Sequence, residues 1–489
     1  MRNIIAASLA ALLLAPLPAL HAADVRQQPI FNIRTYGATG DGTTLDTKSV
    51  QAAIAACHAA GGGIVEVPAG DYHVGTLKML SNVTLKLNEG ATLLGSKKIE
   101  NYAAEAGGLA EEPAFQKCLI QADNATHIGF QGAGLIDGRG SFGAFPVKAN
   151  GKIAERPTMM RLANCKQVNF AGLTFKNPAA WCLHLVECQN VHFDGITIQS
   201  RDNNANNDGI DLDGCRDVVI ENCRINSGDD AVCLKSTTKQ PCSNIVVRSC
   251  QLSSKTAGFK LGTSSRSGFE DIQVMDSRFH DCPMGAIKLL LVDGGRLENV
   301  KLERLTMEEV GGPIFIRLGN RGRLYERPIA QIYEKDVKPE GAPVGVICGV
   351  TIKDVTARVT GKDLDRQGIM ITGIPGHRVQ DVALENIQVR FSGGGTREAA
   401  VRQVPEDSAR YPEQYFFGVL PSWGLFVRHA DGIRLRNLKL DCAAEDARPP
   451  THLEDVSRWD ARDLLINGTR TNVEPPLNQP GMHPATDTP

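Results

Sequence analysis

Between Asn206 and Lys235 the chain reads Asn206-Asn207-Asp208-Gly209-Ile210-Asp211-Leu212-Asp213, then Ser227-Gly228-Asp229-Asp230-Ala231-Val232-Cys233-Leu234-Lys235. Aligning Ile210 with Val232 and Leu212 with Leu234 makes Asp208 and Asp230 equivalent positions on neighbouring turns of the chain, with Asp229 beside them. Adjacent strands lie about 4.8 Å apart, so the carboxyls would stand roughly 5 Å from one another. Like charges that close cannot all ionise without cost: one pKa should rise toward neutrality while another stays low. Acid/base catalysis needs that split. Cleavage of a glycosidic bond, for example, takes an acid on the leaving oxygen and a base or nucleophile on the other face of the sugar. Asp and Asn also bind backbone in turns, and acidic clusters bind calcium, so the residues alone leave these uses open.

For the alignment to hold, the chain must wind in register. Val168-Asn169-Phe170, Val191-His192-Phe193, Val218-Val219-Ile220, Ile245-Val246-Val247, Ile272-Gln273-Val274 and Val300-Lys301-Leu302 repeat one pattern, their first residues 23, 27, 27, 27 and 28 apart. Weaker copies start at Ile128, Val350, Val382 and Ile433. A period in this range marks a solenoid, and short β-branched runs followed by Gly or Asn leave no room for a helix between copies. The expected fold is all-β: a right-handed parallel β-helix of about ten coils, since stacking buries a face that one coil cannot bury alone. Leu-x-x-Leu-x-Leu spacing, the mark of a leucine-rich repeat, is missing. Cys165, Cys188, Cys215 and Cys242 each precede an anchor by three residues and should stack as a column of buried thiols, not as disulfides, which would distort the ladder.

Asp46-Thr47 can cap a helix whose Val50, Ala53, Ile54 and Cys57 share one face, ended by Gly61-Gly62-Gly63, and this helix should plug the N-terminal end of the solenoid. Gly37 to Gly42 reads as a turn, because the GxGxxG order of a phosphate loop is absent. Arg2, an apolar run from Ile4 to Leu20 broken by Pro16 and Pro18, and Ala22-Ala23 read as a secretory signal over residues 1–23. The expectation is then one catalytic β-helix over 24–473, a Pro-rich tail over 474–489, and a periplasmic or secreted location.

Over 489 residues, 53 Lys+Arg against 55 Asp+Glu leave a net charge of −2, so no overall field draws the protein to nucleic acid or anionic lipid. No nucleic-acid partner and no membrane span are expected, and the protein is read as a monomer. Forty-two per cent apolar residues exclude wholesale disorder. The thirteen cysteines are an odd number, so at least one thiol is free, and no Cys/His cluster has zinc spacing. His184 and His192 fit no metal spacing and receive no role.

At the acidic residues the chain resembles glycoside hydrolase family 28, the polygalacturonases and rhamnogalacturonan hydrolases. That family's Asn-Thr-Asp and Gly-Asp-Asp are similar to Asn206-Asn207-Asp208 and Gly228-Asp229-Asp230. Tyr36-Gly37-Ala38, Gly134-Leu135-Ile136-Asp137-Gly138-Arg139-Gly140 and Asn177-Pro178-Ala179-Ala180-Trp181 extend the likeness over most of the chain. The resemblance implies inverting, metal-free hydrolysis of α-linked galacturonic-acid-containing pectic polysaccharide or oligosaccharide. Asp229 would be the general acid, and Asp208 and Asp230 would activate the water.

Two departures matter. Where the family has Gly-His-Gly, this chain reads Thr256-Ala257-Gly258, and where it has Arg-Ile-Lys, Gly285-Ala286-Ile287-Lys288 retains the lysine alone. Losing the guanidinium removes a two-pronged carboxylate clamp that lysine does not replace. Lys260, Lys288, Arg321 and Arg323 are therefore the expected substrate-binding cations, the last two from a basic insert between 319 and 344. Trp181, Tyr325 and Tyr333 are candidates to stack on sugar faces or to pack in turns. Without the resemblance, the same fold would also suit a calcium-dependent polyuronate lyase or a non-catalytic carbohydrate-binding solenoid.

Overall fold

In a computed structural model, which describes residues 28–104, 115–150, 152–324 and 339–475, the repeat anchors form one continuous column. Val168 pairs with Val191, Val191 with Val218, and Val218 with Ile245, all in parallel register. The column continues through Ile272, Val300, Val350, Val382 and Ile433. Each of these side chains is buried, because alternation along a strand sends every second residue into the tube. Phe130, Phe170 and Phe193 stack above one another beside them, with centroids 5.0 and 4.4 Å apart. Among the described residues, 33 strands join in a single sheet, which confirms the parallel β-helix.

Two further ladders complete each coil. One runs through Thr174–Lys176, Thr197–Gln199, Arg224–Ser227 and Gln251–Ser254. The other, here the site ladder, runs through Thr158–Ala163, Leu183–Val186, Ile210–Asp213, Val232–Ser236, Phe259–Ser265, Ile287–Leu291, Ile314–Leu318 and Ile369–Thr372. The corners turn through left-handed residues such as Asn222, Asn244, Asn299 and Asn386, all with φ of 52–57°. Asn tolerates that region. The corner amides also bond from coil to coil, Asn244 to Asp217 and Asn386 to Asp354.

Helix Thr47–Ala59 buries the four expected residues and packs on the first coils. Its cap differs from expectation: the Asp46 side chain does not cap the helix but accepts from the N–H groups of Thr39 and Gly40, fixing the Gly37–Gly42 turn. All thirteen cysteines are free, and Cys165, Cys188, Cys215 and Cys242 are buried. The signal segment, Tyr325, Tyr333 and the tail beyond 475 lie outside the described residues. Among the described residues, no helix is long and apolar enough to cross a membrane.

The outer face of the site ladder changes character along the axis. Its register runs Arg161, His184, Asp211, Cys233, Lys260, Lys288, then Phe315, Met370 and Phe426. The charged stretch floors the site. The apolar stretch, with Leu290, Phe417 and Leu420, docks an insert spanning 392–424. Arg317 and Arg428 hold that insert by donating to the carbonyls of Glu406 and Val404.

Candidate active site

The alignment that pairs Ile210 with Val232 and Leu212 with Leu234 is the register of the structure. Asp208, Asp229 and Asp230 consequently meet at one level, just before their strands, with a carboxyl oxygen of each within 4.8 Å of the others. Gly228 is required by packing: a Cβ there would sit 2.5 Å from Asn207 Oδ1 and 2.6 Å from the Arg201 carbonyl. Arg156 anchors the preceding loop, donating to the Ala179 carbonyl at 3.0 Å and to Asn206 Oδ1 at 2.7 Å.

Burial and charge separate the three acids. Asp208 is 4% exposed, and its Oδ1 has no hydrogen-bond partner. Burial, then the charges of Asp211 and Asp229, push it well above the usual carboxylate range. Asp229 is half-buried and is also raised, by burial and by Asp230. Burial pushes Asp230 upward too, but Lys260, Lys288 and the bonds it accepts outweigh that and hold it below its ordinary value. Lys260 Nζ donates to Asp230 Oδ2 at 2.7 Å, and the Thr256 hydroxyl lies 2.7 Å from Asp230 Oδ1 and 3.0 Å from Asp229 Oδ1. One acid thus favours its proton while its neighbour favours its charge, a pairing suited to acid/base chemistry. Two ammonium groups already answer the cluster: Lys260, and Lys235 at 3.8 Å from Asp208 Oδ2.

These residues line a cavity of about 180 Å³ together with Trp181, Asn206, Arg321, Tyr411, Glu413 and Tyr415. Of the four expected substrate-binding cations, Lys260 and Arg321 line it. Arg321 also clamps Asp293 with Nε and Nη2. Lys288 lies beneath the cavity floor, 1% exposed, in an ion pair with Glu413. Arg323 is buried outside the cavity lining, and its backbone N–H donates to Asp293. Trp181 serves both readings: it packs on Phe115 and His184 at 5.3 and 4.8 Å, and its ring lies 4.0 Å from Lys235 Nζ at the cavity wall.

Several site residues escape sequence reasoning. Lys235 and Asp211 form a buried ion pair, and Asp211 is raised by burial to about 6 despite it. Their signal was available: both occupy outward positions in the same alternation that orients the aspartates. Tyr411, Glu413 and Tyr415 had none, because they come from an insert outside the repeat.

The chain matches Glycosyl hydrolases family 28 over residues 57–410, a span that holds every carboxyl of the cluster. It is 28% identical over 363 residues to "Probable polygalacturonase" of Vitis vinifera, covering 67% of this chain and 74% of that protein. It is 28% identical over 252 residues to "Exo-poly-alpha-D-galacturonosidase" of Dickeya chrysanthemi, covering 42% of this chain and 41% of that one. The structure of an exopolygalacturonase from Thermotoga maritima superposes with a TM-score of 0.66 at 19% identity, over 84% of this chain and 91% of that one. That likeness carries the fold, a right-handed β-helix; the match over most of the sequence carries more, and by it this chain belongs to glycoside hydrolase family 28 and is a glycosidase.

Proposed function

We propose that the chain hydrolyses α-linked galacturonic-acid-containing pectic chains or oligomers, working from a chain end, by inverting acid/base hydrolysis outside the cytoplasm. The observation that supports this most is the opposed perturbation of two adjacent acids, Asp229 raised and Asp230 lowered, in one cavity. In this reading Asp229 protonates the glycosidic oxygen as the bond breaks. Asp230, ionised beside Lys260, removes the proton from the attacking water, and Asp208 orients that water. Family membership supports inversion; the carboxyl oxygens, within 4.8 Å of one another, are nearer than the roughly 6.5–9.5 Å usual for inverting pairs. End-wise action is supported by the 392–424 insert, whose Tyr411, Glu413 and Tyr415 wall the cavity, and by the name of the Dickeya chrysanthemi relative. The pattern from Arg2 to Asp24 supports export.

The test is digestion of homogalacturonan, rhamnogalacturonan and their oligomers with products followed by mass. The expected products are short and released from the start, undiminished by a chelator. Unsaturated sugars absorbing in the ultraviolet, with activity lost to chelator, would identify a lyase instead, and affinity without turnover a binding protein.

A pH profile tests the division of labour. Turnover needs Asp230 ionised and Asp229 protonated, so kcat/KM should be bell-shaped, its acid limb set by Asp230. Lys260→Met removes the nearest cation, so Asp230 should titrate higher and the acid limb should move up by about one pH unit or more. An unmoved acid limb would remove Asp230 from the base role.

A further inference from the structure

Lys288 sits directly below Lys260 in the site ladder, under the floor of the cavity. The chain has answered it from within. The insert brings Glu413, 125 residues away in sequence, against Lys288 Nζ, and the two side chains are 6% and 1% exposed. Glu413 also lines the cavity beside Asp230, Lys260 and Tyr411. A ring carrying a free carboxylate at this level would meet Glu413 and Asp230, while the charges of Lys260 and Lys288 are already paired. Bringing an unanswered anion there costs affinity, and such built-in repulsion is how a site rejects a near relative of its ligand. An uncharged ring meets no such penalty, and its hydroxyls find a carboxylate to accept from them.

Resting on the hydrolase reading above, we infer that Glu413 is a specificity-determining residue that seats a sugar ring without a free carboxylate beside the scissile bond. Arg321 differs in kind. It binds Asp293 through Nε and Nη2, and its Nη1 lies 3.5 Å from Thr263 Oγ1 in the cavity wall, where it can receive the carboxylate of a neighbouring galacturonate. The site therefore fits a mixed chain, with one charged and one uncharged ring. The uncharged ring is either a neutral sugar in the backbone or a methyl-esterified galacturonate.

The experiment compares kcat/KM on three oligosaccharides of equal length: free-acid oligogalacturonate, its methyl ester, and an alternating oligomer of galacturonate and rhamnose. Wild-type enzyme is expected to favour an uncharged-ring substrate by about tenfold or more. Preference for the ester assigns the ring to esterified galacturonate, and preference for the alternating oligomer to a neutral sugar. Glu413→Gln removes the repelling charge from the cavity wall and leaves the Lys288 ammonium beneath it unanswered, and it should shrink the preference at least tenfold, chiefly by lowering KM for the free acid. A second measurement uses wild type alone: as competitive inhibitors, short methyl-esterified galacturonides should bind at least tenfold more tightly than the same oligomers as free acids. Preference for the free acid, equal or tighter inhibition by the free-acid oligomers, or a folded Glu413→Gln enzyme with unchanged preference overturns the inference and leaves the hydrolase reading standing. No turnover of any of the three by wild type overturns the hydrolase reading and this inference with it.

Discussion

Replacing Asp229 by Asn should lower kcat by about 10³-fold, with KM changed only a few-fold, because a general acid acts in the transition state and contributes on the order of 10²–10⁴. Asn keeps the shape of the side chain and its acceptor oxygen, so the hydrogen bond from the Asp230 N–H survives. What goes is the proton. The loss should therefore depend on the leaving group: a glycosyl fluoride, whose departing group needs no full protonation, should be cleaved by the variant at a rate nearer to wild type. Equal loss on the fluoride and on the oligosaccharide would assign Asp229 to something other than proton donation.

The second large effect combines stability with activity. Asp208→Asn should cut kcat by about 10²-fold or more, yet raise the melting temperature by about 2–4 °C. Asp208 is buried, its Oδ1 has no partner, and it shares a small volume with Asp211, Asp229 and Asp230. Its folded pKa lies above that of the unfolded chain, so above the unfolded carboxyl range of about 4 the folded state holds more protons than the unfolded one. Stability then falls as pH rises through the window between the two values. Asn has no such dependence, and its amide can donate to the neighbouring carboxylates. The gain in melting temperature should accordingly be small near pH 4 and larger near pH 7, which scanning calorimetry at the two pH values measures. A lower melting temperature at pH 7 would mean that Asp208 is held by bonds rather than strained by burial. Strain of this kind at a working site is a common exchange of stability for activity.

Lys235 shows how far such a cluster depends on its surroundings. Burial lowers its pKa, but Asp211 and Asp208 more than compensate, keeping the ammonium charged under the Trp181 ring. Lys260 and Lys288, rather than Lys235, leave Asp230 as the member best able to ionise.

From the sequence by itself came the winding and, with it, the meeting of the acids. A repeat of 23 to 28 residues with inward anchors admits one register, since a slip of one residue would turn Val218 or Ile245 to solvent and Asp211 to the core. Once Ile210 lies over Val232, Asp208 must lie over Asp230. The same logic reached Lys260, whose outward position follows from its alternation with Phe259 and Leu261. Tertiary structure decided what long-range contacts decide. Nothing local announces that Glu413 crosses 125 residues to Lys288, or that Asp293 takes up Arg321, because the insert is placed by docking on Phe315, Met370 and Phe426 and the Arg321 loop by its bonds to Asp293, neither of them by the repeat. A periodic pattern encodes neighbours one coil apart; the partner of a charge across the groove is set by packing that has no period.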